Sequence, residues 1–201
     1  MANAITHLSG AVLSLVGMIF LIKAGLKSGD PVKTAGLVVF ALSMVLLYSA
    51  SGFYHLVKPS NFKRILRILD HSNIYFLIAG TYTPILIAVG SPFSFAFIAV
   101  VWAIALLGIL FTLVFWGRFN FFHVILYLAM GWLVVFIWKP VIAVIPWTFV
   151  QWIIAGGLTY TTGTAFYSMK KLPYYHAIWH LFVLAGSLFF YIGIYMYIPM
   201  L

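Results

Sequence analysis

The chain has 201 residues, of which 65% are hydrophobic and 6% charged, with a net charge of +9 and no cysteine. A soluble domain carries roughly a quarter of its residues as charges, so this chain cannot cover its own surface in water, and lipid is its natural solvent. The lack of cysteine excludes disulfides and thiolate chemistry; the eleven Lys and Arg, scattered between apolar runs, suit loops facing anionic headgroups and not a nucleic-acid surface.

A membrane-spanning helix needs about 20 mostly apolar residues. The first such run, 4–25, carries His7 near its start. It reads as a span and not as a signal peptide, because no Lys or Arg precedes it and no small-residue cleavage site follows. Gly29-Asp30-Pro31 then makes a turn in which Asp30 is a solvated turn residue. The second run, 35–57, ends at His55, and Ser51 lies one turn earlier on the same face. Lys58-Pro59-Ser60 breaks the chain. The third run, 72–90, begins just after Asp70 and His71, and Pro84 inside it predicts a kink.

Gly90-Ser91-Pro92 leads into the fourth run, 93–115, and Trp116-Gly117-Arg118 separates it from the fifth, 120–138, which carries His123. Lys139-Pro140 is expected to end that span before the sixth, 148–168; Lys171-Leu172-Pro173 precedes the seventh, 175–198, which opens with His176 and His180. Trp116, Trp138, Trp147 and Trp152 fall near span ends, where an indole prefers the headgroup level. The runs are continuous, without the alternation of barrel strands. The expected fold is an all-α integral membrane protein, a seven-transmembrane helix bundle formed by residues 1–201 as one domain.

Seven spans put the termini on opposite sides. The loops on the N-terminal side carry Lys58, Lys63, Arg64, Arg67, Arg118, Lys170 and Lys171, and the other side carries Lys23, Lys27, Lys33 and Lys139. This excess predicts the N-terminus in the cytoplasm and the C-terminus outside. With these directions the end of span two and the starts of spans three and seven share the cytoplasmic end, so Ser51, His55, Asp70, His176 and His180 fall at similar depth.

Asp70 is the one acid at membrane depth, where an ionisable group is costly and has a partner. It reads either as a helix-start carboxylate, favoured by the dipole or paired with Arg64 or Arg67, or as part of a site. His176 and His180, four apart, share one helix face and can bind one metal ion. The Ser51–His55 turn suggests the third ligand. Three neutral imidazoles with an open fourth position make a catalytic-type zinc site, whereas calcium or magnesium would need more carboxylates. His7 and His123 read as interfacial, hydrogen-bonded histidines, and His71, adjacent to Asp70, faces another direction on the helix.

Five segments carry a family resemblance: Thr6-His7-x-x-Gly10, Ser51-x-x-x-His55, Leu69-Asp70-His71-x-x-Ile74-Tyr75, Ala79-Gly80-Thr81-Tyr82-Thr83-Pro84 and Pro173-Tyr174-x-His176-Ala177-Ile178-Trp179-His180. In this order they resemble the hemolysin III family, the bacterial branch of the progestin and adipoQ receptor superfamily, over essentially the whole chain. The resemblance implies a seven-helix bundle in the bacterial plasma membrane. It also implies an intramembrane zinc ion near the cytoplasmic side, held by His55, His176 and His180, with Ser51 and Asp70 as associated polar residues. Kinship with adiponectin receptors and alkaline ceramidases ties the similar site to hydrolysis of lipid amides. One departure is visible: after Ala185-Gly186-Ser187 many relatives carry a histidine, whereas Leu188, Phe189 and Phe190 follow here.

Three functions are compatible with these residues. The first is zinc-dependent hydrolysis of a lipid amide or ester, with Asp70 as proton acceptor, Ser51 as hydrogen-bond donor and the substrate's acyl chain inside the bundle. In soluble zincins a Glu follows the first His of the helical pair, but here that position is Ala177. The second is a receptor-like or lipid-homeostasis protein with structural zinc; the third is a membrane-lytic protein acting as an oligomer. The partners expected in each case are membrane lipids, not nucleic acid.

Overall fold

The structure, a computed structural model, describes residues 1–115 and 120–200. Trp116, Gly117, Arg118, Phe119 and Leu201 lie outside the described residues, and so do the readings attached to them. Among the described residues every regular element is a helix. These are α1 (Ala2–Ser28), α2 (Pro31–Leu56), α3 (Asn61–Val89), α4 (Pro92–Val114), α5 (Asn120–Gly131), the 3-10 segment η1 (Trp132–Ile137), α6 (Trp138–Val144), α7 (Trp147–Ser168), α8 (Tyr175–Tyr197) and the 3-10 turn η2 (Ile198–Met200).

The helix ends follow from local chemistry. Asp30 is the N-cap of α2: its carboxylate accepts from the backbone N–H of Val32 at 2.8 Å and of Lys33 at 3.1 Å, and Pro31 takes the first helical position, where no N–H is needed. The Lys33 N–H, with that of Val32 and the Lys33 ammonium 3.7 Å away, holds this carboxyl below the ordinary carboxylate range. Ser60 and Ser91 cap α3 and α4 in the same way, through Lys63 N and Ser94 N at 3.1 Å each. Gly29 (φ 71°) and Gly90 (φ 67°) end α1 and α3 in the left-handed conformation that glycine adopts without strain.

Two boundaries differ from the sequence expectation. Helix α3 starts at Asn61, eleven residues before the run at 72, because the Ser60 cap nucleates it; Lys63, Arg64, Arg67 and Asp70 therefore sit on a helix and not in a loop. Lys139-Pro140 does not end the fifth rod, which continues to Val144. Pro140 lies in the first turn of α6, where its missing N–H costs nothing. The irregularity falls earlier, at η1, and Tyr82 of α3 holds it. The Tyr82 hydroxyl donates to the Gly131 carbonyl at 2.8 Å and accepts from Val134 N–H at 2.8 Å, serving backbone groups where the α-helix gives way to η1. Tyr82→Phe is expected to leave both without this partner and to lower stability by about 1–3 kcal/mol, read as a drop in melting temperature of the purified protein. Helix α3 itself runs unbroken through Pro84.

Six helical rods among the described residues are long and apolar enough to cross a membrane: α1, α2, α3, α4, the rod from Phe122 to Val144, and α8 with η2. α7 has 22 residues but is richer in Thr, Tyr and Gly and is not among them. Several of its hydroxyls are satisfied within the helix, as in the bonds from Thr159 to the Ala155 carbonyl (2.7 Å) and from Thr161 to the Gly157 carbonyl (2.8 Å). Side chains such as Leu13 and Val16 of α1, and Leu106, Leu107 and Leu110 of α4, stand exposed, an arrangement suited to hydrocarbon and not to water.

Helices α1 to α4 pack in sequence, α8 packs on α1 and α7 on α8, and α5 leans on α3, α4 and α7. α2 and α3 are the most buried spans. Small residues let the helices approach: a side chain at Gly108 of α4 would overlap the fully buried Tyr75 ring of α3. Ser187 of α8 joins three helices, through Tyr48 of α2 and through Tyr160 of α7 at 2.6 Å. The packing leaves a cavity of about 590 Å³ bordered by α3, the α5–η1–α6 rod, α7 and α8. It runs along α3 from Asp70 to Ile85, a length of about 22 Å at 1.5 Å per residue.

Candidate metal centre

Three histidines converge beside this cavity, and two of them, His176 and His180, line it. His55 comes from the last turn of α2, and His176 and His180 from the first two turns of α8. One ring nitrogen from each lies within 4.8 Å of the others. His55 Nε2 and His176 Nε2 are 3.2 Å apart; two ligands on a tetrahedral ion with bonds of 2.0–2.1 Å stand about 3.3 Å apart. The donors are all imidazole, which suits a transition ion and not calcium or magnesium. His180 is buried, whereas His55 and His176 are half-buried.

The backbone before α8 is strained. Tyr174 adopts φ 59°, the one non-glycine residue in the left-handed region among those described. This costs a bulky residue about 1–2 kcal/mol, and it sets the direction in which Tyr175-His176 enters the helix.

Ser51 and Asp70 line the same cavity as His176 and His180. Asp70 is half-buried and lies within electrostatic reach of Arg67, but it is not one of the three clustered ligands. Ser51 is buried, one turn before His55; its hydroxyl is turned toward the Asp70 carboxyl yet completes no hydrogen bond of ordinary geometry. The rest of the polar end is tyrosine and histidine: Tyr127 donates to the His71 carbonyl at 2.9 Å, and Tyr75 pairs with His123 Nδ1 at 3.0 Å. His71 and His123 face the cavity but stand outside the three-histidine cluster.

His7 is packed inside the protein: it is buried, stacks on His180 with ring centroids 3.5 Å apart and planes 11° from parallel, and neither ring nitrogen completes the expected hydrogen bond in ordinary geometry. The residues that sequence reasoning missed are its neighbours Asn3 and Thr6, which both contact His180. The signal available was spacing: Asn3, Thr6 and His7 stand at i, i+3 and i+4 and therefore share one face of α1.

The fold and site define a helical integral membrane protein with a three-histidine candidate metal centre at the polar end of an apolar cavity. The family model described as Haemolysin-III related matches residues 1–191, and the chain belongs to this family. It is 42% identical over 187 residues to the Hemolysin-3 homolog of Bacillus subtilis (strain 168), covering 92% of this chain and 88% of that protein. It is 41% identical over 187 residues to Hemolysin-3 of Bacillus cereus, covering 92% and 85%. A more distant likeness, 26% over 207 residues covering 98% and 83%, reaches the human Monocyte to macrophage differentiation factor.

Proposed function

We propose that this protein is a seven-span, zinc-dependent hydrolase of lipid amide or ester bonds, lying in the plasma membrane with its N-terminus and metal centre on the cytoplasmic side. The observation that carries the reading is the juxtaposition of three imidazole nitrogens, one carboxylate and one unbonded hydroxyl at the head of a long apolar cavity. The orientation rests on the Lys and Arg bias, and α7 completes the count as the seventh span.

The three-histidine set fits zinc in donor type and spacing. A zinc ion there would polarise the substrate carbonyl and make water nucleophilic at neutral pH. Asp70 accepts the proton that the attacking water releases and returns it to the leaving amine or alcohol. Ser51 donates its unused hydrogen to the developing oxyanion. The apolar walls, including Ile78, Ile85, Val141 and Ile153, hold the acyl chain and keep water from it.

A second reading is structural zinc in a receptor-like or lipid-homeostasis protein. It is favoured by the ligands' lying 121 residues apart, on α2 and α8, which a metal would clamp. Lysis by an oligomer enters through the name of the Bacillus relatives, but the polar groups gather at one end of the bundle, unlike a pore lining.

The deciding experiment measures zinc content by elemental analysis and product release from N-acyl and O-acyl lipids in vesicles. The expected result is one zinc per chain and hydrolysis that stops on chelation and returns with zinc. Bound zinc without turnover would favour the structural reading, and no bound zinc would remove both.

A further inference from the structure

We propose that the first two turns of α1 are the positioning element of this centre: Asn3 and Thr6 hold His180 in the tautomer that carries its proton on Nδ1 and presents Nε2 to the metal. The inference rests on the metal-centre reading above and concerns a different part of the chain.

His180 Nδ1 lies 3.1 Å from the Asn3 carbonyl oxygen and 3.0 Å from Thr6 Oγ1. A carbonyl oxygen has lone pairs and no hydrogen, so the proton between it and the ring belongs to the nitrogen. The Thr6 hydroxyl has a single hydrogen, and backbone carbonyls of its own helix lie in reach of it, at Asn3 (3.0 Å) and Ala2 (3.1 Å). With that hydrogen given to either carbonyl, the Thr6 lone pairs accept from the same N–H. The opposite tautomer would set a nitrogen lone pair against the Asn3 carbonyl oxygen at hydrogen-bond distance, and it would place the proton on Nε2, the nitrogen left to join the cluster. His180 is 1% exposed, so water cannot compensate for either fault.

His7 adds the third restraint. Its ring lies nearly parallel on one face of His180, which limits the tilt that two hydrogen bonds to one nitrogen leave free. The contacts span 174 and 177 residues of chain, so the tautomer is imposed by tertiary packing before any metal arrives. A histidine whose other nitrogen is held by an oxygen acceptor is oriented, and its free nitrogen is more basic. Thr6 acts through His180 and is a positioning residue.

The test has two arms. In the first, protein labelled with nitrogen-15 in its histidine rings is studied by long-range proton–nitrogen correlation, with His180→Gln used only for assignment. The expected result is a proton on His180 Nδ1 in the metal-free protein, and the same proton retained, with Nε2 shifted by metal, after zinc is added. A proton on Nε2 in the metal-free protein, or metal on Nδ1, would overturn the inference.

In the second arm, zinc affinity is measured by competition with a chromophoric chelator. Thr6→Val keeps the branched shape without the acceptor and is expected to bind about tenfold more weakly, while Thr6→Ser stays close to wild type. Equal affinity in all three proteins would overturn the role of Thr6. Melting curves without metal separate loss of folding from loss of affinity, and should Thr6→Val not fold, the wild-type spectra decide. A wild type that binds no zinc would defeat the metal-centre reading, yet the tautomer of the metal-free protein would still be measurable, so the two failures are distinguishable.

Discussion

Replacing His176 with alanine is expected to weaken zinc binding more than a hundredfold, a larger loss than the 10–100-fold typical when a supporting residue is changed. His176 Nε2 stands 3.2 Å from His55 Nε2, so its removal leaves two donors where a tetrahedral ion needs at least three from the protein. The loss has a thermodynamic consequence. A ligand that binds only the folded state stabilises it, by about 4 kcal/mol at a thousand times its dissociation constant. Zinc should therefore raise the melting temperature of the wild type and leave that of His176→Ala unchanged. His176 is half-buried at the start of α8, so the metal-free variant should melt close to the metal-free wild type. A variant that kept wild-type zinc affinity would remove His176 from the ligand set.

Asp70→Asn is expected to retain zinc and to lose turnover by a factor of about 10²–10⁴, the range for a positioned general base. The substitution keeps the shape of the side chain and its place in the cavity wall, and it removes the group that accepts a proton. Asp30, the other acid of the chain, caps α2, so no second carboxylate can take over. Zinc content by elemental analysis and single-turnover hydrolysis on the same preparation separate the two effects. Wild-type turnover in Asp70→Asn would refute its catalytic role; loss of zinc together with turnover would make Asp70 a supporter of the metal.

The pattern of these residues shows which inferences a sequence permits. The His176–His180 pair was legible because both residues lie on one helix and 3.6-residue periodicity puts them on one face. The spans were legible because hydrocarbon demands long apolar runs with internally satisfied backbone. Their ends were less so. The third span's helix reaches back to Asn61 because one serine caps it, and the break in the fifth rod falls at η1, where Tyr82 from α3 replaces the helix's own bonds. The surroundings of His7 were invisible: an isolated histidine near a span end looks interfacial, and only α8 lying against α1 buries it on His180.

The three-histidine cluster stands between these cases. By itself the sequence determined an all-helical membrane chain, a helical histidine pair, and a third histidine with a serine one turn before it. Only the tertiary structure decided that His55 meets the pair across 121 residues, that Asp70 lines the same cavity without joining the cluster, and that Asn3 and Thr6 of α1 reach Nδ1 of His180. The physical reason is range. Hydropathy and helical spacing act over one turn to one span and are written locally, whereas the meeting of lone pairs within 4.8 Å depends on how separate helices pack.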